Sequence, residues 1–442
     1  MVFKRKIYDK MFEWKELSNG QSALLIEGAR RIGKSTIVED FAKKEYEDYI
    51  ILDFAKEGKD IKQNFEDNIG DLDTFFRNLF LLKGKVIPEK KSVIIFDEVQ
   101  LFPLARQAIK YLVQDGRFDY IETGSLISIK KNVKDILIPS EEYKLQMYPM
   151  DFEEFLYANN VGKDVVSYLK ECFINVESVS DGIHQVIIEK FKEYLISGGL
   201  PDSVKEMVLS KNILKVRENQ NLTFGYYKDD ASQYDDEHSL KIKRIYDMMT
   251  SYMLNKVKRI QFKQIENKED SNLNKYKDEF DYLINSGCAI GVKAVSNPVF
   301  PLIESSSKNL IKLYFNDVGI LSNILYKHNI LAVMGNENAV NLGSVYETVA
   351  AMELIAHGHE IYYFDSKKVG EVDFLINDYD NLSILPIEIK SGKNVYEYRA
   401  IPKLVNKSGN YKLSKGYVLT NNNVCCKNDD LYIFPIYMLM FI

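Results

Sequence analysis

Between Ser22 and Thr36 the chain reads SALLIEGARRIGKST, and few arrangements of backbone can accommodate those residues in that order. The apolar run Ala23 to Ile26 has the length and composition of a buried strand. It is followed by Gly28, Ala29, Arg30, Arg31, Ile32, Gly33, Lys34, Ser35 and Thr36, which fit G-x-x-x-x-G-K-[ST] at every fixed position. The pattern predicts a phosphate-binding loop between a strand and a helix. Gly28 and Gly33 let successive N–H groups turn inward as an anion nest, and a helix opening near Lys34 adds the positive end of its dipole. Lys34 is expected to reach the β- and γ-phosphates, and the Ser35 hydroxyl to take one position on Mg²⁺.

A second strand must then carry the acidic partner of that loop. Ser92 to Phe96 is continuously apolar, as a central parallel strand is, and ends in Asp97, Glu98, Val99 and Gln100. Asp97 is the expected magnesium residue and Glu98 the expected base that polarises the attacking water. Between loop and acids lie a helix to about Lys44, a strand over Tyr49 to Phe54 and a helix over Leu72 to Leu82. This alternation predicts an α/β, doubly wound parallel sheet over residues 1–150. Ahead of it, residues 3–20 read as an amphipathic helix with Phe12, Trp14 and Leu17 as packing residues.

After a helix over Leu104 to Gln114, the strand at Tyr120 ends in Thr123, Gly124 and Ser125. Ser125, with Thr123 beside it, is the candidate sensor of the γ-phosphate, although a strand-end turn has the same composition. Arg106, Arg117, Arg30 and Arg31 are the arginines near the expected site, and spacing assigns none of them as a finger.

Length and charge exclude little but direct the rest. A chain of 442 residues suggests roughly three domains. The net charge of −6 argues against a basic nucleic-acid coat, although not against a local basic groove. Four cysteines without metal-ligand spacing fit a reducing interior. No apolar run reaches 18 residues, so no membrane span is expected and the expected location is cytoplasmic. The terminal LYIFPIYMLMFI reads as a buried strand or helix.

Residues 151–238 read as a helical lid or linker beginning at Asp151, with a stop at Ser197, Gly198, Gly199, Leu200 and Pro201. Residues 239–303 read as a winged-helix-like module: helices at about Leu240 to Asn255 and Leu273 to Ser286, the segment Phe262 to Ile265, and a hairpin after Gly287. Asp278, Glu279 and Asp281 offset Lys275 and Lys277 on its would-be reading helix, which favours a structural or partner-docking role over DNA.

Residues 304–442 hold a second constellation. A helix from Ser344 carries Glu347, one strand carries Glu371 and Asp373, and another carries Glu388 and Lys390. Strand alternation puts Glu371 with Asp373 on one face and Glu388 with Lys390 on one face. If these strands pair, Asp373 and Glu388 are candidate ligands for Mg²⁺ or Mn²⁺, with Glu347 joining from the helix and Lys390 orienting water or stabilising phosphate charge. Two half-exposed strands with solvated charges would show the same alternation.

Taken together, GARRIGKST, IIFDEVQ, ETGS, YPMDFEEF, SGGLPD, LYFNDVGIL, GSVYE, EVDF and IEIKSG occur in one order over nearly the whole length. In this the chain resembles the prokaryotic AAA-family (STAND-like) P-loop ATPases with a C-terminal domain of unknown function. The resemblance implies an AAA-type ATPase module, a helical and winged-helix middle and a restriction-endonuclease-like C-terminal domain. It places the loop residues on ATP, Asp97 and Glu98 in hydrolysis, Ser125 in the sensor region, and Glu347, Asp373, Glu388 and Lys390 in a nuclease-like pattern. The linker from Lys130 to Glu142 has no arginine, so a finger or sensor arginine sought there is missing. The expected activity is Mg²⁺-dependent ATP hydrolysis working as a conformational switch on the C-terminal domain. That domain is expected to be an ATP-gated DNA or RNA nuclease, or an inactive nuclease-like core that binds a protein or nucleic-acid partner. A homo-oligomer is compatible with all of these.

Overall fold

A computed structural model of the chain describes residues 2–125, 137–230, 236–254, 265, 273–335, 342–392, 400–406, 413, 415–428 and 430–442. Of the expected segment Phe262 to Ile265 only Ile265 lies within them, and the part of the linker from Lys130 to residue 136 lies outside. The chain divides into two compact units, Met1–Tyr148 with Asn285–Gly287, and Pro149–Ile284 with Cys288–Ile442.

In the first unit five short strands form one parallel sheet. They are β1 (Ala23–Glu27), β2 (Asp48–Asp53), β3 (Ser92–Asp97), β4 (Asp119–Gly124) and β5 (Glu142–Gln146), in the order β2-β3-β4-β1-β5. Among the described residues five helices accompany them: α1 (Lys6–Ser18), α2 (Lys34–Glu45), α3 (Lys59–Asn68), α4 (Leu72–Lys83) and α5 (Pro103–Asp115). The inner strands β1 and β3 bury both faces, which is why they carry unbroken apolar sequence, whereas the edge strand β5 is largely polar. An aromatic cluster fills one side of the sheet, with the Phe65 ring 4.9 Å from Phe75, 5.7 Å from Phe96 and 6.0 Å from Phe54. The consequence for chemistry is topological. Parallel order brings the carboxyl ends of β1, β3 and β4 to one edge, where an open α/β sheet binds its ligands.

Helix α1 corrects one expectation. Trp14 is buried, but Phe12 is 43% and Leu17 85% exposed, and Ile7 and Met11 pack in their place. A helix of 13 residues presents one stripe, and Ile7, Met11 and Trp14 fall at the helical spacing that Phe12 and Leu17 break.

The second unit begins with the helix Phe152–Ala158. Its N-terminus is a full capping box: Asp151 accepts from the Glu154 amide at 2.9 Å and Glu154 accepts from the Asp151 amide at 3.3 Å. Helices Lys163–Asn175, Asp181–Ser197, Pro201–Leu209, Ile213–Asp230 and Asp236–Leu254 follow. An eight-stranded mixed sheet completes the unit. It comprises β6 (Ala289–Val295), β7 (Ser306–Phe315), β8 (Tyr362–Ser366), β9 (Gly370–Asp378), β10 (Ser383–Lys390), β11 (Gly416–Thr420), β12 (Cys426–Asn428) and β13 (Leu431–Pro435), in the order β12-β13-β11-β10-β9-β8-β6-β7.

This sheet takes in part of the expected winged-helix-like module. The second expected helix is a 3₁₀ turn, Leu273–Tyr276, followed by the helix Lys277–Asn285. The hairpin after Gly287 forms as β6 and β7, but β6 also pairs in parallel with β8. The expected hairpin thus lies at one edge of the eight-stranded sheet, with residue 303 between its two strands. The terminal apolar stretch forms β13 and a buried 3₁₀ segment, Ile436–Phe441.

Candidate nucleotide site and C-terminal carboxylate cluster

The loop after β1 is shaped by close approach. A Cβ on Gly28 would lie 2.3 Å from the Met147 carbonyl oxygen, so the turn has no space for a side chain. Gly33 caps α2 in the left-handed region, at φ 94°, which glycine adopts without strain. Ala29 and Ile32 are buried inward, while Ser35 and Thr36 stand exposed in the first turn of α2. Lys34 folds back into the loop, its Nζ donating to the carbonyls of Gly28 at 3.0 Å and Ala29 at 2.7 Å. Arg30 is half-buried and Arg31 exposed, the latter at φ 63°.

Beside the loop, Ser35 Oγ donates to Asp97 Oδ1 at 2.8 Å. Thr123 Oγ1 donates to the same carboxylate oxygen and accepts weakly from the Glu98 amide at 3.4 Å. Ser35, Asp97 and Thr123 thus form one polar chain across the ends of the sheet. Glu98 sits at φ 54°, and Gln100 Nε2 donates to its Oε2. Ser125, past the end of β4, is buried, and the β4 hydroxyl on Asp97 is that of Thr123. A further residue that sequence reading missed is Arg5, which braces the loop from outside the motif. Its guanidinium donates to the carbonyls of Ile32 at 2.9 Å and Tyr148 at 2.7 Å.

Arg106 and Arg117 lie elsewhere. Arg106 makes a buried bidentate pair with Glu142, both bonds at 2.7 Å, and Glu142 pairs with Ala23 at the amino end of the sheet. Burial and the neighbouring Glu142 push the Glu122 carboxyl well above its ordinary value there. Arg117 is held by Asp115 at 2.7 and 2.9 Å and by Asp73 at 2.9 Å, just before β4 begins. Both arginines serve the end of the sheet opposite the loop.

In the second unit β9 and β10 do pair, antiparallel, from Asp378↔Ser383 to Phe374↔Ile387. Asp373, next in that register, accepts from the Ile389 amide at 2.8 Å. Glu388 and Lys390 make an ion pair at 2.6 Å. Glu347, on the helix Gly343–Ala356, accepts from the Tyr314 hydroxyl of β7 at 3.0 Å. Burial first, and then the charges of Glu347 and Glu388, push the Asp373 carboxyl up to about 7. The cluster also contains a residue that sequence reading passed over. Lys312 of β7 is buried, pairs with Glu371 and lies 4.5 Å from the centre of the Tyr363 ring. Burial opposes its charge, but Glu371, Glu347 and Asp373 outweigh burial and the net shift is upward. Among the described residues no group of three or more His, Cys, Asp or Glu side chains is arranged to hold a metal ion. No helix among them is long and apolar enough to cross a membrane.

Comparison with known proteins divides the chain in three. Residues 20–156 match the AAA domain family, residues 188–330 a domain of unknown function (DUF8612), and residues 342–439 another domain of unknown function (DUF4143). An uncharacterized protein of Haemophilus influenzae is 25% identical over 181 residues, covering 39% of this chain and 43% of the relative, so the match spans less than half of that protein. The Thermotoga maritima RuvB Holliday junction branch migration motor is 12% identical, with 65% of this chain and 89% of the motor covered at a TM-score of 0.29. A variant of Thermotoga maritima RuvB is 13% identical at the same coverage and the same score. At that score the likeness carries no weight for fold or function.

The AAA match implies ATP and Mg²⁺, and the residues fit both. Gly28 leaves a cradle that a Cβ would fill, and the Ser35 hydroxyl with the Asp97 carboxylate offers the hard oxygen donors that Mg²⁺ prefers. The chain therefore carries an AAA-type P-loop ATPase domain followed by two domains of unknown function.

Proposed function

We propose that residues 1–150 bind and hydrolyse Mg²⁺-ATP and that residues 304–442 are the effector this turnover controls. The helical region 151–238 and the module 239–303 lie between them in this domain layout. The observation that carries the ATPase reading is the chain Ser35, Asp97 and Thr123 beside a complete phosphate-binding loop. Lys34 and the loop amides would hold the β- and γ-phosphates, while Ser35 and Asp97 would hold the ion. When bound, Mg²⁺ supplies charge neutralisation at the transferring phosphoryl group. Glu98 orients water and takes its proton, with Gln100 fixing one carboxylate oxygen and leaving the other to act. Thr123 ties the position of Asp97 to the end of β4, and Ser125 follows directly after that strand. Lys34→Ala is expected to abolish ATP binding in equilibrium titration; nucleotide affinity kept in that variant sinks the assignment.

The convergence of Asp373, Glu388, Glu347 and Lys390 supports a second reading for the C-terminal domain, a nuclease dependent on Mg²⁺ or Mn²⁺ and gated by ATP. It requires Asp373 and Glu388 to share the ion, and Lys390 to face phosphate. Metal-dependent cleavage of DNA or RNA, lost in Asp373→Ala while ATPase activity survives, is the outcome it demands. Cleavage unchanged by that substitution refutes it.

A further inference from the structure

Four carboxylates in and against the C-terminal sheet converge, and each already has a donor from the protein. Glu371 holds the Lys312 ammonium, Glu347 the Tyr314 hydroxyl, Asp373 the Ile389 amide and Glu388 the Lys390 ammonium. Two of these donors are cations, and they are placed differently. Lys390 comes from the same strand as its partner, and its side chain is 28% exposed. Lys312 comes from β7, at the far edge of the sheet, and its side chain is only 2% exposed. Burying an ammonium is unfavourable unless negative charge surrounds it, so a lysine is kept there only by the carboxylates it faces. The Tyr363 ring against Nζ adds a cation–π contact and closes that side to water.

The geometry points to Lys312 as the resident cation of this cluster, standing where a divalent metal would stand, so that the C-terminal domain works without a metal ion. A metal bound by these carboxylates must first displace the buried Lys312 ammonium, or share the cluster with it at like-charge distance. Of the second oxygens of these four carboxylates, Glu388 Oε2 is buried and without a hydrogen bond among the described residues. That oxygen can add to a coordination shell only where the Lys312 and Lys390 charges no longer occupy the carboxylates beside it. This assignment is independent of the ATPase reading and sets the C-terminal domain apart from the metal-dependent nuclease reading.

The test is Mn²⁺ binding to the full chain without nucleotide, followed by electron paramagnetic resonance of the free ion. Asp97→Asn serves as the background, so that the ATPase domain contributes no ligand. With Lys312 present, no saturable binding is expected up to millimolar Mn²⁺. Lys312→Met is expected to create a site at least ten-fold tighter, which Asp373→Asn then removes. Should Lys312→Met alone fail to fold, Lys312→Met with Glu371→Gln removes both members of the ion pair and serves instead. Saturable binding in the Lys312 protein that Asp373→Asn abolishes overturns the proposal. So does a folded Lys312→Met protein that gains no site.

Discussion

At the residue scale, which hydroxyl serves Asp97 is decided by strand register. β3 and β4 pair with Phe96 opposite Glu122, which sets Thr123 beside Asp97 and carries Ser125 past the strand end. Thr123→Val is therefore expected to lower kcat about ten-fold with KM for ATP nearly unchanged, and Ser125→Ala to do less, in steady-state ATPase assays. Glu98→Gln is expected to bind ATP normally and lose at least about a hundred-fold in kcat, the usual contribution of a general base. The composition ETGS offers both Thr123 and Ser125 but not the register between strands, and it is the register that sets Thr123 against Asp97. The same limit hid Lys312 and Arg5: each acts on residues far along the chain, Lys312 on Glu371 and Arg5 on Ile32 and Tyr148. A half-buried acid in the C-terminal cluster gives a further test. Asp373 titrates near 7 in the folded chain against an ordinary 3.8, so the native state holds this proton more tightly than the unfolded one. Its contribution to stability therefore falls as pH rises from about 4 to about 7 and is constant above. Asp373→Asn escapes that loss. The variant is expected to be more stable than the parent by at most about 4 kcal/mol at pH 8, with the gain shrinking as pH falls to 5, in urea titrations. A loss of stability at pH 8 would show that burial of this carboxylate is not costly.

At the element scale, the SGGLPD and LYFNDVGIL motifs turn out to be two halves of one joint. Gly199 donates to Asp317 Oδ2 at 2.7 Å, and Asp317 Oδ1 caps the helix Val318–Tyr326 through the Ile320 amide at 3.1 Å. A Cβ on Gly198 would lie 2.1 Å from Asp317 Oδ1, and one on Gly199 2.1 Å from the Met150 carbonyl oxygen. Arg217 adds bonds to the Ile196 and Lys327 carbonyls at 3.0 and 2.8 Å. From sequence SGGLPD is a helix stop; in the fold it is where helices and sheet of the second unit meet. Gly199→Ala is expected to cost about 3 kcal/mol, since backbone must move to admit the methyl group. Gly225→Ala, inside the helix Ile213–Asp230 with open space where the methyl would go, is expected to stabilise by about 0.5–1 kcal/mol. Equal effects in thermal melts would contradict the joint. Elements built on continuous apolar runs were legible: β1, β3 and the helix Leu72–Lys83 lie within a residue or so of their expected bounds. α3 was not, because KDIKQNFEDN offers only Ile61 and Phe65 as apolar residues to the core and the rest of it is polar. The C-terminal sheet was legible in its β9 and β10 strands but not in its extent, since β6 pairs with β8 across a long stretch of helix and strand that no local pattern reports.

For the whole molecule, the question is whether nucleotide in the first unit is felt in the second. A ligand present at a hundred times its Kd stabilises the folded unit that binds it by about 2.7 kcal/mol. If the units are thermodynamically separate, that gain belongs to Met1–Tyr148 alone and the rest of the chain melts as before. If turnover is a switch, some of the gain must appear beyond Pro149, because a ligand shifts a distant equilibrium only by its differential affinity for the two states. Hydrogen exchange on the Glu98→Gln protein, which is expected to hold ATP without consuming it, separates the cases. Coupling predicts altered protection in the helix Gly343–Ala356 and in β10, where the carboxylate cluster lies. Lys34→Ala, unable to bind, should leave the same amides unchanged at any ATP concentration. Protection confined to the loop, α2 and the ends of β3 and β4 would leave the ATPase domain as assigned and remove its control over the C-terminal domain. A coupling of about 1–3 kcal/mol, the usual range, would appear as roughly a five- to hundred-fold slowing or quickening of exchange at those amides, well within what the measurement resolves.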